Sequence, residues 1–317
     1  MFSKANIGRS PPLLRLALQF KSFSSDKGLA FVGACDGTDS KYDRMLLRLG
    51  GCIDCMPRIV FAHANGYPPG SYEALLSGLG AHVDVQAIEH RPLWAEDPAP
   101  TFLSWQVYAR DLLDRIKERG DDPVWVVGHS MGAASAILAA SQEPSRFKGI
   151  VALDPVLISD RFWFWSRLMT RLKPDVMPIV KRALARPHQF ESYEAAFQFY
   201  RGKRVFQQVS DEVLMDYVKA GHEKAEDEQV RLRYSGSWEA CVYRSVPRMS
   251  GAIKRLACPV LVVAGDRSDV LPAKTLEWVA SLNPRIKALT LAGGHLLPLE
   301  SPKACAEAAL DFIASNQ

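Results

Sequence analysis

Gly128-His129-Ser130-Met131-Gly132 stands between two stretches of very different composition. Residues 123–127 form a short apolar, β-branched run, which predicts a buried strand. Residues 133–140 are rich in alanine and predict a helix. A G-x-S-x-G sequence between a strand and a helix is typical of a nucleophile elbow, a tight turn in which a strained serine is flanked by glycines that avoid a clash. We therefore take Ser130 as the candidate nucleophile.

A candidate base lies near the C-terminus. A serine hydroxyl is a poor nucleophile at neutral pH, so a base must accept its proton. In an elbow architecture the chain order is serine, then acid, then histidine. Residues 289–294 predict a short strand that opens into a glycine loop, and His295 follows it. Of the seven histidines, His295 alone has the right order and local context.

The acid is expected between Ser130 and His295. Residues 259–264 predict a buried strand, and the loop after it carries two aspartates. We choose Asp269, because a carboxylate three residues into this loop can reach the distal nitrogen of the base. Asp266 follows the strand directly and is expected to cap the loop by accepting backbone N–H bonds. Asp154, at the end of an earlier predicted strand, remains the third alternative.

The negative charge that develops on the substrate oxygen needs two hydrogen-bond donors. Residues 56–62 predict a strand, and His63 begins the loop after it. One backbone N–H is expected from Met131 and the other from this loop, with Asn65 as the candidate and Ala64 as the alternative. His63 itself is expected to brace the loop by hydrogen bonding.

These four motifs, in this order, resemble those of the α/β-hydrolases, in the branch that has a helical cap inserted after the sixth core strand. The resemblance runs from about Arg58 to the end of the chain. It rests on residues 63–66, 128–132, 265–272 and 294–295, with Glu300 and Pro302. Two positions depart from the family pattern. Ala64 stands where the family often has glycine, and Ser268 where its acid loop often has aspartate, with Asp269 one residue later.

The resemblance implies an α/β fold with a mostly parallel central sheet and helices on both faces. We expect an N-terminal extension, a core in two segments and a helical cap: residues 1–28, residues 29–155 with 258–317, and residues 156–257. The first two core strands are expected around residues 29–32 and 45–49.

The predicted cap carries many aromatic and basic residues. Ten of the aromatic residues are Phe162, Trp163, Phe164, Trp165, Phe190, Tyr193, Phe197, Phe199, Tyr200 and Phe206. We expect most of them to form the core of the cap and others to line an apolar pocket that excludes water. The basic first half is either a solvated face or an attraction for an acidic substrate.

Composition excludes several classes of protein. The 317 residues are 48% hydrophobic and 23% charged, with a net charge of +4, which is ordinary for a globular chain. No basic tract indicates nucleic-acid binding, and no run of 18 apolar residues predicts stable membrane insertion. Cys52 and Cys55 lack a second pair that would complete a metal site, so we expect neither metal nor organic cofactor. The expected partner is a small-molecule substrate, and no oligomeric state is indicated.

Two compartments fit the sequence. Six scattered cysteines suit a reducing compartment and favour the cytoplasm. Residues 1–25 hold four basic residues and no acidic one, which is also the composition of a mitochondrial targeting segment.

The expected activity is that of a serine hydrolase that cleaves a carboxylic ester with a hydrophobic acyl or aromatic part. A carbon–carbon bond hydrolase or a cofactor-free perhydrolase would use the same three side chains. A small-molecule receptor with slow turnover is the alternative from a different class.

Overall fold

The computed structural model describes residues 57–225 and 229–317 of the chain. Its nine strands are β1 (Arg58–Ala62), β2 (Asp84–Ile88), β3 (Val124–His129), β4 (Phe147–Leu153), β5 (Gln189–Phe190), β6 (His222–Lys224), β7 (Val230–Leu232), β8 (Val260–Gly265) and β9 (Ile286–Leu291). Six of them form a parallel sheet in the order β2-β1-β3-β4-β8-β9. The other three form a small antiparallel sheet in the order β5-β7-β6.

The helices of the same residues lie between and after these strands. They are α1 (Glu73–Gly80), α2 (Gln106–Glu118), α3 (Met131–Gln142), α4 (Asp160–Leu172), α5 (Pro178–Leu184), α6 (Tyr193–Arg201), α7 (Asp211–Gly221), α8 (Gly236–Arg244), α9 (Ser250–Lys254), α10 (Ala273–Leu282), α11 (Leu297–Glu300) and α12 (Pro302–Ala314). None of them is long and apolar enough to cross a membrane.

The central sheet is covered on both faces. Val126 of β3 packs in a core with residues of α2, α3 and α10, whereas its neighbour Val127 packs in a second core with residues of α1 and α12. This alternation explains the apolar, β-branched composition of β3, in which every residue is buried. The predicted α/β fold, with a mostly parallel sheet and helices on both faces, is confirmed.

The chain leaves the sheet after β4 and returns to it at β8, and α4–α9 with β5–β7 lie between. Most of the aromatic residues in this part pack as expected, since those from Phe190 to Phe206 join the second core with Tyr217 of α7. The expectation is wrong for Phe162, Phe164 and Trp165, which are exposed on α4.

Several predictions concern residues outside the described part of the chain. They are the extension 1–28, the two strands around 29–32 and 45–49, and the pair Cys52 and Cys55. β4 is the fourth strand of the described sheet, and counting it as the sixth core strand relies on those two predicted strands.

Candidate active site

Ser130 occupies a strained turn between β3 and α3. Its φ and ψ are +53° and −113°, a conformation that residues other than glycine rarely adopt. A Cβ added to Gly128 would lie 2.7 Å from the nitrogen of Ala133, and one added to Gly132 would lie 2.1 Å from the carbonyl oxygen of Ala62. Only glycine fits at either position. The elbow can therefore approach the end of β1, where residues 63–66, the predicted oxyanion loop, begin.

The structure brings Ser130 and His295 together. The Ser130 hydroxyl lies 3.0 Å from His295 Nε2, although the two residues are 165 positions apart. Ser130 is 5% exposed and the His295 side chain 22% exposed, so both are largely shielded from solvent. The Ser130 N–H donates to the carbonyl oxygen of Leu153 at 3.0 Å, which ties the elbow to the end of β4.

The other ring nitrogen of His295 faces Asp154. The distance from Nδ1 to the Asp154 Oδ1 is 2.7 Å, and the Asp154 side chain is completely buried. The carboxylate also accepts hydrogen bonds from the Gly265 N–H at 2.9 Å and the Ser268 hydroxyl at 2.7 Å. A buried carboxylate requires such donors, because an unpaired charge away from water is costly. With Nδ1 protonated towards Asp154, the His295 Nε2 is free to accept the serine proton.

The choice of Asp269 as the acid is corrected by this geometry. Asp269 is exposed, and the side chain of this loop that meets Asp154 is the preceding Ser268. Asp266 accepts a backbone N–H from the neighbouring loop, that of Gly293 at 2.9 Å, whereas the N–H groups of Val270 and Leu271 in its own loop donate to the Ser268 hydroxyl. The missed signal was Ser268 itself, which stands where the family often has the acid and therefore indicates that another strand supplies the carboxylate.

Strand register explains why Asp154 can take this place. His129 of β3 pairs with Leu153 of β4, and Leu153 pairs with Val263 of β8. Asp154 therefore emerges between the elbow and the loop after β8.

The predicted oxyanion donors lie on the two facing segments. Met131 is the first residue of α3, so its N–H has no carbonyl partner one turn earlier in the helix. The Ala64 N–H donates to the Tyr72 hydroxyl at 3.1 Å and is thereby occupied. This contact disfavours the alternative Ala64 and leaves the Asn65 N–H as the candidate from the loop.

Three residues from the segment between β4 and β8, Arg186, Tyr234 and Glu239, lie against the oxyanion loop. The Asn65 side chain donates to the carbonyl oxygen of Glu239 at 3.1 Å and accepts from the Tyr234 hydroxyl at 2.7 Å. A Cβ on Gly66, whose φ is +78°, would lie 3.3 Å from both Arg186 Nη1 and Glu239 Cδ. Arg186 and Glu239 form an ion pair of 2.8 Å with side chains only 10% and 14% exposed. No local sequence pattern indicates this role of Arg186 and Glu239.

A buried network joins the oxyanion loop to the loop of the base. The Tyr72 hydroxyl accepts the Ala64 N–H and donates to His129 Nδ1 at 2.8 Å, and His129 Nε2 donates to the carbonyl oxygen of His295 at 2.8 Å. Burial, and then the nearby His295, hold the pKa of His129 well below its usual range. His129 is therefore neutral, which this pattern of one accepting and one donating nitrogen requires.

His63 braces the same loop, as expected. Its Nδ1 donates to the carbonyl oxygen of Ala64 at 2.7 Å, and its Nε2 accepts the His90 N–H at 3.0 Å. Burial, and then the neighbouring His90, lower the pKa of His63 well below its usual range, so this ring is also neutral.

The arrangement as a whole pairs an activated hydroxyl with a base and an orienting carboxylate, beside two backbone segments that can donate to an oxyanion. Residues 59–308 match the family model described as the alpha/beta hydrolase family. The chain therefore belongs to the α/β-hydrolase family, and the predicted class, an α/β-hydrolase enzyme, is confirmed.

Individual relatives are distant. The chain is 21% identical over 258 residues to 2-(acetamidomethylene)succinate hydrolase from Mesorhizobium japonicum, covering 81% of this chain and 88% of that protein. A crystal structure of E-2-(acetamidomethylene)succinate hydrolase aligns with a TM-score of 0.69 at 22% identity, covering 81% of this chain and 91% of that one. Monoglyceride lipase from Rattus norvegicus is 30% identical over 109 residues, which span 32% of this chain and 36% of the lipase.

Proposed function

We propose that the chain hydrolyses carboxylic esters through an acyl-enzyme on Ser130. The observation that carries the proposal is the continuous line of hydrogen bonds from the Ser130 hydroxyl through the His295 ring to Asp154, with distances of 3.0 and 2.7 Å. A hydroxyl, an imidazole and a buried carboxylate in this order form the arrangement that activates a serine for acyl transfer.

The proposed reaction has two halves. Ser130 attacks the ester carbon while His295 takes its proton, and Asp154 stabilises the imidazolium. The N–H groups of Met131 and Asn65 hold the negative oxygen. His295 then gives its proton to the departing alcohol. In the second half His295 takes a proton from water, the hydroxide attacks the acyl-enzyme, and the acid leaves as Ser130 recovers its proton.

A hydrophobic acyl or aromatic group suits the surroundings of the oxyanion loop. Tyr67, directly after Gly66, packs against Tyr217 with ring centres 5.1 Å apart and against Phe206 at 6.2 Å. Tyr217 and Phe206 are each only 2% exposed and belong to the second core, so Tyr67 is the ring of this group that we propose to contact an apolar part of the substrate. The names of two relatives, a lipase and a hydrolase of a substituted succinate, are consistent with a carbonyl substrate but differ in its polarity.

The experiment is a stopped-flow assay with p-nitrophenyl esters of increasing acyl length. We expect a burst of p-nitrophenolate equal to the enzyme concentration, because p-nitrophenolate is a good leaving group and acylation is then faster than hydrolysis of the acyl-enzyme. Ser130→Ala should abolish the burst. The control Ser141→Ala, in the last turn of α3, should keep it. Turnover by Ser130→Ala, or cleavage of a vinylogous diketone with no ester turnover by the wild type, would contradict the proposal.

We also infer a reducing compartment, with the cytoplasm as the preferred location. Cys241, Cys258 and Cys305 are free and buried. Burial raises the pKa of Cys241 and Cys258 to about 11 and that of Cys305 to about 12, so these thiols stay protonated and unreactive. The mitochondrial alternative concerns residues 1–25, outside the described part of the chain.

A further inference from the structure

Helix α4 presents an apolar face to solvent. Six large apolar side chains on this 13-residue helix are between 42% and 71% exposed: Phe162, Phe164, Trp165, Leu168, Met169 and Leu172. Single exposed apolar residues are normal in proteins, but a contiguous set of this size marks an interaction surface.

The exposed set follows the helical repeat. Phe162, Trp165, Met169 and Leu172 are spaced by three or four residues and share one side of the helix. The opposite side carries Thr170, which is buried and donates to the carbonyl oxygen of Ser166 at 2.9 Å, and Trp163, whose Nε1–H donates to the carbonyl oxygen of Val246 at 3.0 Å. Trp163 and Thr170 therefore hold the helix on the protein, while most of its large apolar side chains face solvent, unlike those of a helix that buries its apolar face on a core.

Basic side chains surround this apolar face. Four of them lie on the helix or directly after it: Arg161, Arg167, Arg171 and Lys173. The guanidinium carbons of Arg167 and Arg171 lie 5.8 and 5.7 Å from the ring centre of Phe102, which holds them at one edge of the helix. The acid at the start of the helix, Asp160, is paired with Arg248 and does not offset these charges.

We propose that the outward face of α4 docks onto an anionic phospholipid surface. Tryptophan, phenylalanine and leucine side chains enter the boundary between headgroups and acyl chains, while flanking arginine and lysine side chains pair with anionic headgroups. The helix lies on the membrane without crossing it, because 13 residues are too few to span a bilayer.

The charges argue against two other occupants of this face. A second copy of the chain packed face to face would bring the same four cations against one another. Residues 1–25 hold four basic residues and no acidic one, so their charge would also repel the basic side chains around α4. The proposal does not rest on ester hydrolysis, and a lipid-binding assay can fail while the esterase assay succeeds.

The first test is flotation of the full chain with phosphatidylcholine vesicles prepared with and without phosphatidylserine. We expect binding to the vesicles with phosphatidylserine, weakened by salt. The double variant Trp165→Ser/Leu172→Ser should bind about tenfold more weakly or worse, because it removes two large side chains from the buried contact. Val205→Ser, at an exposed apolar residue outside α4, is the matched control and should bind like the wild type.

The electrostatic part is tested with charge reversals of equal size. Arg161→Glu/Lys173→Glu should abolish the preference for phosphatidylserine. Lys274→Glu/Lys303→Glu changes the net charge by the same amount at exposed positions of α10 and α12. This variant should retain the preference for phosphatidylserine. Failure of the wild type to bind either vesicle, or equal binding by both charge variants, would overturn the proposal.

A photo-crosslink identifies what covers the face. With p-benzoylphenylalanine in place of Trp165, irradiation in the presence of the vesicles should give a lipid adduct in the peptide that carries the crosslinker. A crosslink to a second copy, or to residues 1–56 of the same chain, would instead assign the face to that segment and overturn the proposal.

Discussion

The position of the Asp154 carboxylate is fixed both by a strained backbone conformation and by buried hydrogen bonds. Its φ of +42° is rare for a residue other than glycine, and its carboxylate is held by the Gly265 N–H, the Ser268 hydroxyl and His295. A backbone conformation of this kind persists only where the surroundings enforce it. The strained backbone of Asp154 and the donors from Gly265 and Ser268 together orient the carboxylate towards His295 Nδ1.

Exchange of Asp154 for asparagine distinguishes it from Asp269. We expect Asp154→Asn to lower kcat by about 10⁴-fold, because the amide presents an N–H to Nδ1 and favours the wrong tautomer of the base. Asp269→Asn should change kcat by no more than about twofold, as expected of an exposed substitution. Steady-state ester hydrolysis by the two purified variants checks this, and a reversed order of the two losses would restore Asp269 as the acid.

Local sequence predicts some site residues and not others. Ser130 and His295 are identified by patterns of five to seven residues around them. Asp154 is identified only once β4 is aligned between β3 and β8, since its place depends on pairing between strands far apart in the chain. Tyr72 and Tyr234 have no local pattern, and their roles come from contacts across the fold.

At the scale of elements, the elbow functions because α3 can pack directly against the end of β1. Gly132→Ala should destabilise the protein by about 1–3 kcal/mol or more and lower activity, because the new methyl group overlaps the Ala62 carbonyl. Gly80→Ala is the matched control, because nothing lies within 4 Å of an added Cβ there, and it should be neutral or slightly stabilising. Urea unfolding of both variants measures the difference, and equal effects would contradict the close packing.

The buried pair of Arg186 and Glu239 joins the segment after α5 to α8, next to Gly66. Arg186→Met leaves the Glu239 carboxylate without its ion-pair partner and should lower the free energy of unfolding by about 3–5 kcal/mol. Arg115→Met breaks a more exposed pair with Glu118 on α2 and should cost no more than about 1 kcal/mol. Urea unfolding monitored by tryptophan fluorescence compares them. Similar losses from the two variants would mean that the buried pair contributes little.

Helix α4 marks the limit of periodicity as a predictor. The spacing of Phe162, Trp165, Met169 and Leu172 places them on one face, whereas Trp163 lies on the inward side. Periodicity alone cannot tell whether such a face meets a core or solvent, because that depends on what the rest of the chain places beside it. Here the core of this region is formed by later residues such as Tyr200 and Phe206, which leaves the apolar face of α4 outside.

At the scale of the whole molecule, buried neutral histidines make stability depend on pH. Burial lowers the pKa of His90 to about 4, and lowers the pKa of His63 and His129 well below their usual range. In the unfolded chain these groups titrate near about 6.5, so below that pH the unfolded state binds more protons than the folded state. Above about pH 6.5 these groups leave the free energy of unfolding unchanged, and below it the free energy of unfolding falls by up to about 1.4 kcal/mol per pH unit for each histidine. For His90 the fall ends near pH 4.

Urea unfolding at about pH 7 and about pH 5 tests this dependence. We expect a lower free energy of unfolding at the acidic pH. His90→Gln should reduce the slope by about one proton, because one group with a lowered pKa is removed. A free energy of unfolding that is the same at both pH values would mean that these rings are not held neutral.

The fold was predictable as a whole because four motifs in a fixed order define it. Each motif joins the end of a strand to a loop, so their order also predicts the parallel sheet. The segment between β4 and β8 has no comparable pattern, and the short strands β5, β6 and β7 were not predicted, since two or three residues carry too little alternation.

The most direct test of the central claim is covalent labelling of the full chain with a fluorophosphonate, followed by peptide mass spectrometry. We expect one adduct, on Ser130, its absence in Ser130→Ala, and slower labelling in Asp154→Asn but not in Asp269→Asn. An adduct on another serine, or folded wild-type protein that is not labelled, would contradict the assignment of Ser130, His295 and Asp154 as a catalytic unit.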